Sequence, residues 1–585
     1  MPGRIWKFRP FEETLVADLE RDCRVAPVVA HLLASRGLRD PKSCREFLDN
    51  RLTGLHDPAL LPGCDAAARR LLVAIERREK IAVYGDYDAD GMTATAMLVG
   101  VLKRLQADVI FHVPNRLDDG YGLNRDAIDL LAERGCRLIV TVDCGVSAID
   151  QAQHAARLGL DLIVTDHHEL ASELPPAVAI VHPRLPGHDY PCGDLCGAGV
   201  AFKLVWRLIQ LAGGSESGAR VHEKYRDFLF RALALASVGT IADVVPLVGE
   251  NRVLVAHGLL ALRAAPPLGL RQLMTLAKLA DRPALSSEDV AFMLAPRLNA
   301  AGRLGQAPLG VELLLTESDE RAEQLARYID ELNGNRDSLE RSILKGAHEQ
   351  IKLRFDPEQV PAFVLADRGW HAGVIGVVAG RLAEKYHRPV VMISLDANGS
   401  KPGIGSARAG GKLDLHAALH ECAAHLVSYG GHQAAAGMRI DEQEVEAFRE
   451  RFCEVAEARL SALDRTPELD IDAETPLVHL TVGAVEEIER LAPFGQGNPR
   501  PILCTRRVEL AEPPRRIGGG ERHLAIRLKQ HQSQIRGVAF GKGEWADEIA
   551  AVDGPLDVAY RPVINEFAGR RSAEIHLVDW RPAER

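Results

Sequence analysis

The sequence predicts a multi-domain α/β protein: a parallel-sheet domain joined by a long helix to a smaller α/β domain, followed by a small β-barrel. Three observations carry this expectation. Short apolar runs alternate with helical patterns through the first half of the chain. A long stretch of interspersed acidic and basic residues follows. Near Asp464 the pattern changes again, to short β-rich runs separated by turn residues.

Each element can be justified in chain order. Residues 1–60 read as short helices, for example APVVAHLLASRG and CREFLDN, and make a helical lead-in. Residues 61–312 hold the first α/β domain. IAVYGDYDADG begins at Ile81, RLIVTVDCG at Arg137 and DLIVTDHHE at Asp161. Apolar runs rich in Val and Ile suit strands buried on both faces of a sheet. NRDAIDLLAERG and SAIDQAQHAARLG lie between them with helical spacing, so the sheet should be mainly parallel. Residues 313–355 form the connector. Their alternating charges read as a long solvated helix, interrupted near Gly334. Residues 356–463 make the second α/β unit, which carries the glycine-rich GSARAGGK and YGGHQAAAGM. Residues 464–585 contain ILCTRRVEL, RHLAIRLK, IRGVAFG, LDVAYRPVINEF and AEIHLVDW, a spacing that fits an OB-like barrel.

Composition narrows the function classes. The chain has 585 residues, 46% hydrophobic and 26% charged, as expected of a globular protein of several domains. A net charge of −10 argues against a coat-like, non-specific DNA binder but leaves room for local basic surfaces. The 10 cysteines include no C-x-x-C pair, and Cys192 and Cys196 lack the partners a zinc site needs. Reduced thiols in a cytoplasmic protein are expected. The N-terminal MPGRIWKFRPFEE has no signal-like apolar core, and no apolar run approaches the roughly 20 residues of a membrane span. No membrane partner is therefore expected. A phosphate loop of the type G-x-x-x-x-G-K-[ST] and the zinc motif H-E-x-x-H are both missing from the sequence.

The chemistry gathers at strand ends. Asp86, Asp88 and Asp90 follow the first run, Asp143 the second, and Asp166, His167 and His168 the third. In a doubly wound sheet, ligand sites form beyond the carboxyl ends of the strands, so these three groups should converge. One aspartate after a strand is usually a helix cap or turn former. Three strand ends that all finish in ligand-type residues are another matter. Their carboxylates would repel one another unless a cation joined them. Mixed carboxylate and imidazole ligands suit Mn²⁺, Fe²⁺ or Zn²⁺, and carboxylate and water ligands also admit Mg²⁺, so Mn²⁺ or Mg²⁺ is the expected cofactor. Two such ions about 3.5–4 Å apart would suit phosphoryl hydrolysis.

GDYDADG, VTVDCG and TDHH, in this order, resemble the DHH phosphoesterase superfamily. SVGTIADVVPL supplies Asp243 for a fourth element, PRLNAAGRLG looks like a further one, and YGGHQAAAGM resembles the signature of the DHH-associated domain. Within the superfamily the chain is most similar to single-stranded-DNA exonucleases of the RecJ family, over nearly its whole length. The resemblance implies metal ligands at Asp88, Asp90, Asp143, His167 and Asp243, with Asp143 as the bridge between two ions. It implies that His168 contacts the scissile phosphate or acts from behind the ligands, and that Asp166 orients a histidine. One position departs from the wider superfamily. Pyrophosphatase-type members have a metal-binding histidine where this chain has Tyr84, so Asp86 is expected to compensate.

Arg116 and Tyr121 in NRLDDGYGLN, with Ser406 and Arg408 in GSAR, are candidates for a terminal 5′-phosphate and its base. Arg303 could hold a backbone phosphate, and His432 in the GGH turn would face the cleft. Arg506, Arg507, Arg515, Arg516, Arg522, Arg527, Lys529 and Arg536 make the barrel a candidate DNA contact. The implied activity is 5′-to-3′ hydrolysis of single-stranded DNA to mononucleotides, in DNA repair and recombination. Implied partners are a helicase and a single-strand-binding protein, with the exonuclease itself a monomer. The competing expectations are a phosphodiesterase for cyclic dinucleotides or short oligonucleotides, and a non-catalytic scaffold.

Overall fold

The computed structural model describes all residues except 1–3, 116–121, 217–220, 358, 461–466, 568 and 585. It divides into two compact units. One is Leu55–Pro467, and the other combines Met1–Gly54 with Glu468–Arg585.

The larger unit contains two sheets. The first has five strands, in the spatial order Val109–His112, Lys80–Tyr84, Cys136–Thr141, Asp161–Thr165 and Ala179–Val181. Every pairing in it is parallel. Ile81, Val83, Leu138, Val140 and Ile163 are completely buried, as their unbroken apolar runs require. The helix Ala89–Arg104 buries nearly its whole length beneath Gly197–Ala212 and Arg226–Ala242. That core explains why these helices show no polar stripe.

The connector is a single helix, Asp319–Arg354, of 36 residues. No interruption occurs at Gly334. A mid-helix glycine costs roughly 1 kcal/mol relative to alanine. Here the flanking Leu325, Ile329, Ile343 and Ala347 are buried and hold the turns on either side. The second sheet runs Ser428–Gly431, Ala435–Ile440, Gly403–Arg408, Val390–Ser394 and Phe363–Asp367, with only the last pair parallel.

In the smaller unit, Leu503–Leu510, Leu556–Phe567, Arg570–Pro582, Ser533–Ala539 and His523–Gln530 follow one another around a barrel. The ring closes where Glu509 and Leu510 pair with Lys529 and Leu528. The lead-in is not purely helical. Its strand Ile5–Phe8 pairs in parallel with Glu468–Ile471, and Trp6 Nε1 donates to Asp579 at 2.8 Å. Its helix Pro27–Ser35 contributes Val28, Val29, Leu32 and Leu33 to the core shared with the barrel.

All ten cysteines are free thiols. Among the described residues, no single helix is long and apolar enough to cross a membrane.

Candidate metal centre

The three sequence clusters converge beyond the carboxyl ends of the parallel strands. Ligand-type atoms fall into three overlapping groups, each within 4.8 Å: Asp86, Asp88 and Asp143; Asp143, His167 and His168; and Asp90, His167 and Asp243. Asp143 and His167 each belong to two of these groups, so they lie between the other ligands.

Local structure sets each side chain. Asp88 caps the helix Ala89–Arg104, and its Oδ1 accepts the Gly91 N–H at 2.9 Å. Capping does not exclude ligation here, because only one oxygen is committed to the Gly91 N–H. Asp90 is the second residue of that helix. Its Oδ2 and Oδ1 accept the N–H groups of Gly197 (2.7 Å) and Ala198 (2.9 Å), at the start of the helix Gly197–Ala212. The positive end of that helix favours the carboxylate. Gly197 is required by space, since a Cβ there would lie 2.4 Å from Asp143 Oδ1.

Asp143 adopts a left-handed backbone, φ 63°, which few non-glycine residues tolerate. Its N–H donates to Thr165 O at 3.0 Å, which ties the strained turn to the neighbouring strand end. Asp243 ends the helix Arg226–Ala242, and Val244 after it is also left-handed, φ 61°. Two strained turns at one cluster fit a pattern in which local strain positions functional groups.

The third motif is organised by Asp166. Its Oδ1 meets His168 Nδ1 at 2.7 Å and accepts the N–H groups of His167 and His168, while its Oδ2 accepts the Val146 N–H. Behind it, His182 Nε2 donates to His168 O at 2.9 Å, because His182 Nδ1 is occupied in accepting the Arg184 N–H. Arg184 also donates to His167 O at 2.8 Å. Neither His182 nor Arg184 stands out in the sequence, since a lone histidine followed by Pro-Arg carries no signal of its own.

The electrostatics of the cluster favour a bound cation. Burial and then the other carboxylates push Asp143 well above the usual carboxylate range. The same causes raise Asp243 to about 8, and burial with Asp88 raises Asp90 to about 6. Burial and the nearby His168 charge lower His167 to about 3, leaving a neutral imidazole. Its Nε2 is buried without a hydrogen bond and lies 3.2 Å from Asp143 Oδ1 and 3.6 Å from Asp243 Oδ2. A neutral ring in that position could serve as a metal ligand. Burial opposes charge on His168, but its Asp166 hydrogen bond outweighs that and raises it to about 9. Asp166 is also buried, yet the His168 bond and the backbone donors hold it down at about 2. Clustered carboxylates with one neutral imidazole could hold divalent cations such as Mn²⁺ or Mg²⁺.

Three matches to known families cover separate stretches of the chain. Residues 80–233 match the DHH family N-terminal domain, 359–458 the DHHA1 domain, and 471–579 the RecJ OB domain. The chain is 34% identical to the single-stranded-DNA-specific exonuclease RecJ of Dickeya dadantii, covering 97% of each chain. The chain belongs to the RecJ family. The RecJ of Bacillus subtilis is 37% identical over 98% of this chain and 70% of its own length. A crystal structure of Thermus thermophilus RecJ in complex with Mn²⁺ superposes with a TM-score of 0.83 at 33% identity, covering 99% of this chain and 80% of that one. A second structure of the same RecJ, in complex with Mg²⁺, gives 0.76.

Within this RecJ framework, Tyr84 is turned away from the carboxylates. It is fully buried, its hydroxyl donates to Gly122 O at 3.0 Å, and that hydroxyl accepts from Asn124 Nδ2 at 3.2 Å. Asp86, 3% exposed, instead joins Asp88 and Asp143.

The substrate candidates divide. Arg116 and Tyr121 fall outside the described residues. Ser406 and Arg408 share the strand Gly403–Arg408, with Arg408 Nη1 3.1 Å from Ser406 Oγ. Gly376 opposes them, and a Cβ there would lie 2.8 Å from Ser406 Oγ and 3.1 Å from Arg408 Nη2. Arg303 ends the helix Ala295–Arg303 and donates to Gly373 O at 3.3 Å, which links the two α/β domains. His432 Nδ1 lies 3.5 Å from the Glu169 carboxylate, beside the third motif. Asn299 acts on the first motif in a way the sequence did not announce. Its Oδ1 accepts the Ala89 N–H at 2.8 Å.

Proposed function

We propose that the chain is a metal-dependent exonuclease that hydrolyses single-stranded DNA from the 5′ end and releases mononucleotides. The observation that carries this reading is the convergence of Asp86, Asp88, Asp90, Asp143, His167 and Asp243 around Asp143, in a chain whose full-length relatives are named single-stranded-DNA-specific exonucleases. We place this activity in the cytoplasm, in DNA repair and recombination, with a helicase and a single-strand-binding protein as suppliers of substrate. We read the exonuclease as a monomer.

Asp86 and Asp88 would hold one divalent ion, Asp90 and Asp243 a second, with Asp143 between them and His167 completing the set. Bound there, such ions supply Lewis acidity toward the scissile phosphate and lower the pKa of water. The chain's own residues do the rest. Asp166 keeps His168 protonated, and the imidazolium donates to a non-bridging phosphate oxygen, where charge develops in the transition state. Ser406 and Arg408, with Arg116, hold a terminal 5′-phosphate. Tyr121 stacks on a base, and Arg303 and His432 line the path of the strand.

The cyclic-dinucleotide reading is less well supported, because the similarity extends through the barrel and the lead-in, which a small substrate would not need. Oligonucleotides labelled at either end and digested with Mn²⁺, Mg²⁺ or chelator test the proposal. Release from the 5′ end that stops with chelator and with Asp143→Ala is expected. Release from the 3′ end would remove the polarity claim, and activity confined to dinucleotides would remove the polymer claim.

A further inference from the structure

The barrel's positive residues are mostly neutralised by its own acids. Arg506 faces Glu474, Arg515 and Arg527 face Glu512, Lys529 faces Glu509, and Arg536 faces Glu574. Arg516 pairs with Asp547. A field made of such exposed pairs offers little net attraction to a polyanion.

One face differs. Phe540 is 62% exposed, although it follows a core strand. It falls opposite His523, one step beyond the register pair Leu524↔Ala539, and the two rings meet edge to face at 5.5 Å. His576, on the strand Arg570–Pro582, meets Phe540 edge to face at 5.0 Å. Strand alternation puts all three on the outside of the barrel. Their neighbours Leu524, Ala539, Ile575 and Leu577 point into the core. The exposed face of Phe540 is therefore a rigid ring supported on two sides rather than a loose side chain.

Cations lie near these rings in sequence or register. Arg522 precedes His523, Lys542 lies two residues after Phe540 with its ammonium 5.1 Å from the Trp545 ring centre, and Arg561 is the cross-strand partner of His576. Among the described residues, none of the three forms an ion pair, in contrast to the pairs above. Glu574, two residues before His576 on the same strand, is held by Arg536 and Asn565. Burial, with Arg500 and Arg561 nearby, lowers His576 below the usual imidazole range, so this ring is neutral and free to pack.

We propose that Phe540, braced by His523 and His576 and flanked by Arg522, Lys542 and Arg561, is a stacking platform for a base of single-stranded nucleic acid. The proposal rests on the exonuclease reading for its ligand. An exposed π-face accepts any base, and cations spaced around it accept the phosphates on either side. Such a platform is sequence-tolerant, as degradation of arbitrary sequence requires.

Fluorescence anisotropy with labelled (dT)30 and the full chain, in chelator so that no strand is cut, provides the test. Phe540→Ala should weaken binding by about five- to a hundredfold, the range for loss of one stacked base. Phe540→Trp should restore it, which a folding defect would not allow. Charge reversal at Arg522 and Arg561 should reduce the salt dependence of binding. Oligonucleotides carrying 5-iododeoxyuridine should crosslink to peptides containing Phe540 or its two histidines. Unchanged (dT)30 affinity in Phe540→Ala, with crosslinks only elsewhere, overturns the platform. So does an outcome in which Phe540→Ala spares (dT)30 but loses binding to an acidic peptide, since the face would then dock protein. Cleavage of a short oligonucleotide by the unaltered protein reports separately on the exonuclease reading.

Discussion

Asp166 Oδ1 lies 2.7 Å from His168 Nδ1, and the same oxygen accepts the backbone N–H groups of both histidines in the third motif. One buried carboxylate thereby fixes the ring orientation, the charge and the backbone of its neighbours. Asp166→Asn should preserve the fold and lose the charge that keeps His168 protonated. We expect kcat to fall roughly 10- to 100-fold, as for partners behind metal-site histidines, with Mn²⁺ affinity changed less. A loss of Mn²⁺ binding as large as the loss of kcat would show that Asp166 acts through the ligands instead.

Asp86 and Tyr84 provide a second test. Tyr84 is engaged with Gly122 and Asn124, so its replacement by histidine should not recruit the ring to the centre. Asp86→Asn should weaken binding of one ion at least tenfold, and Tyr84→His in that background should fail to rescue it. Calorimetric titration with Mn²⁺ distinguishes these outcomes, and rescue by histidine would contradict the geometry.

Metal removal should change how stability depends on pH. Asp90 and Asp243 are raised to about 6 and about 8, above the ordinary carboxylate value of about 4. Between those values the folded chain holds protons that the unfolded chain has released. Their contribution is present below pH 4 and is lost as pH rises through 6 and 8. The Tm of the metal-free protein should fall across that window, Mn²⁺ should restore it at pH 8, and Asp243→Asn should flatten the slope. A metal-free Tm that rises between pH 5.5 and 8.5 would be incompatible with this account.

Gly197 has no room for a methyl group against Asp143. Gly197→Ala should displace either Asp143 or the N–H groups that hold Asp90. Activity should drop by about two orders of magnitude with only a small change in Tm, since strain near 1–3 kcal/mol falls on the site rather than the core. Circular dichroism and Mn²⁺ titration together check this. A large loss of Tm would place the defect in the fold instead.

Ser406 and Arg408 are expected to select the end of the strand. Arg408→Ala should reduce activity on 5′-phosphorylated oligonucleotides at least tenfold, by the loss of a charge-assisted contact of about 1.5–3 kcal/mol. The 5′-hydroxyl substrate should be affected less, and an equal effect on both would detach these residues from end recognition.

The parallel sheet and the convergence of acidic and histidine side chains at its strand ends were legible because their information is local. Each strand is an apolar run, and Asp86, Asp143 and Asp166 follow such runs closely. Chain order and the rule for strand ends then bring Asp88, Asp143 and His167 together. What escaped depended on partners far apart in sequence. Tyr84 could not be assigned an orientation without Gly122 and Asn124, and the hold of Gly197 on Asp90 spans two helices. Gly334 suggested a break that packing of Leu325, Ile343 and Ala347 prevents. The barrel's arginines looked like a basic groove because their carboxylate partners come into register only when the sheet closes.

Ile5 faces Glu468, and the lead-in completes a core whose other half begins only at Glu468. At about 5–20 residues per second, the ribosome would need roughly 25–90 s after emitting that strand to supply its partner. During that interval Trp6 lacks its Asp579 acceptor, and Val29 and Leu33 have only the lead-in's own Leu19, Val25 and Cys44 as core partners. The nascent chain therefore carries a half-covered apolar segment while the intervening domains are made.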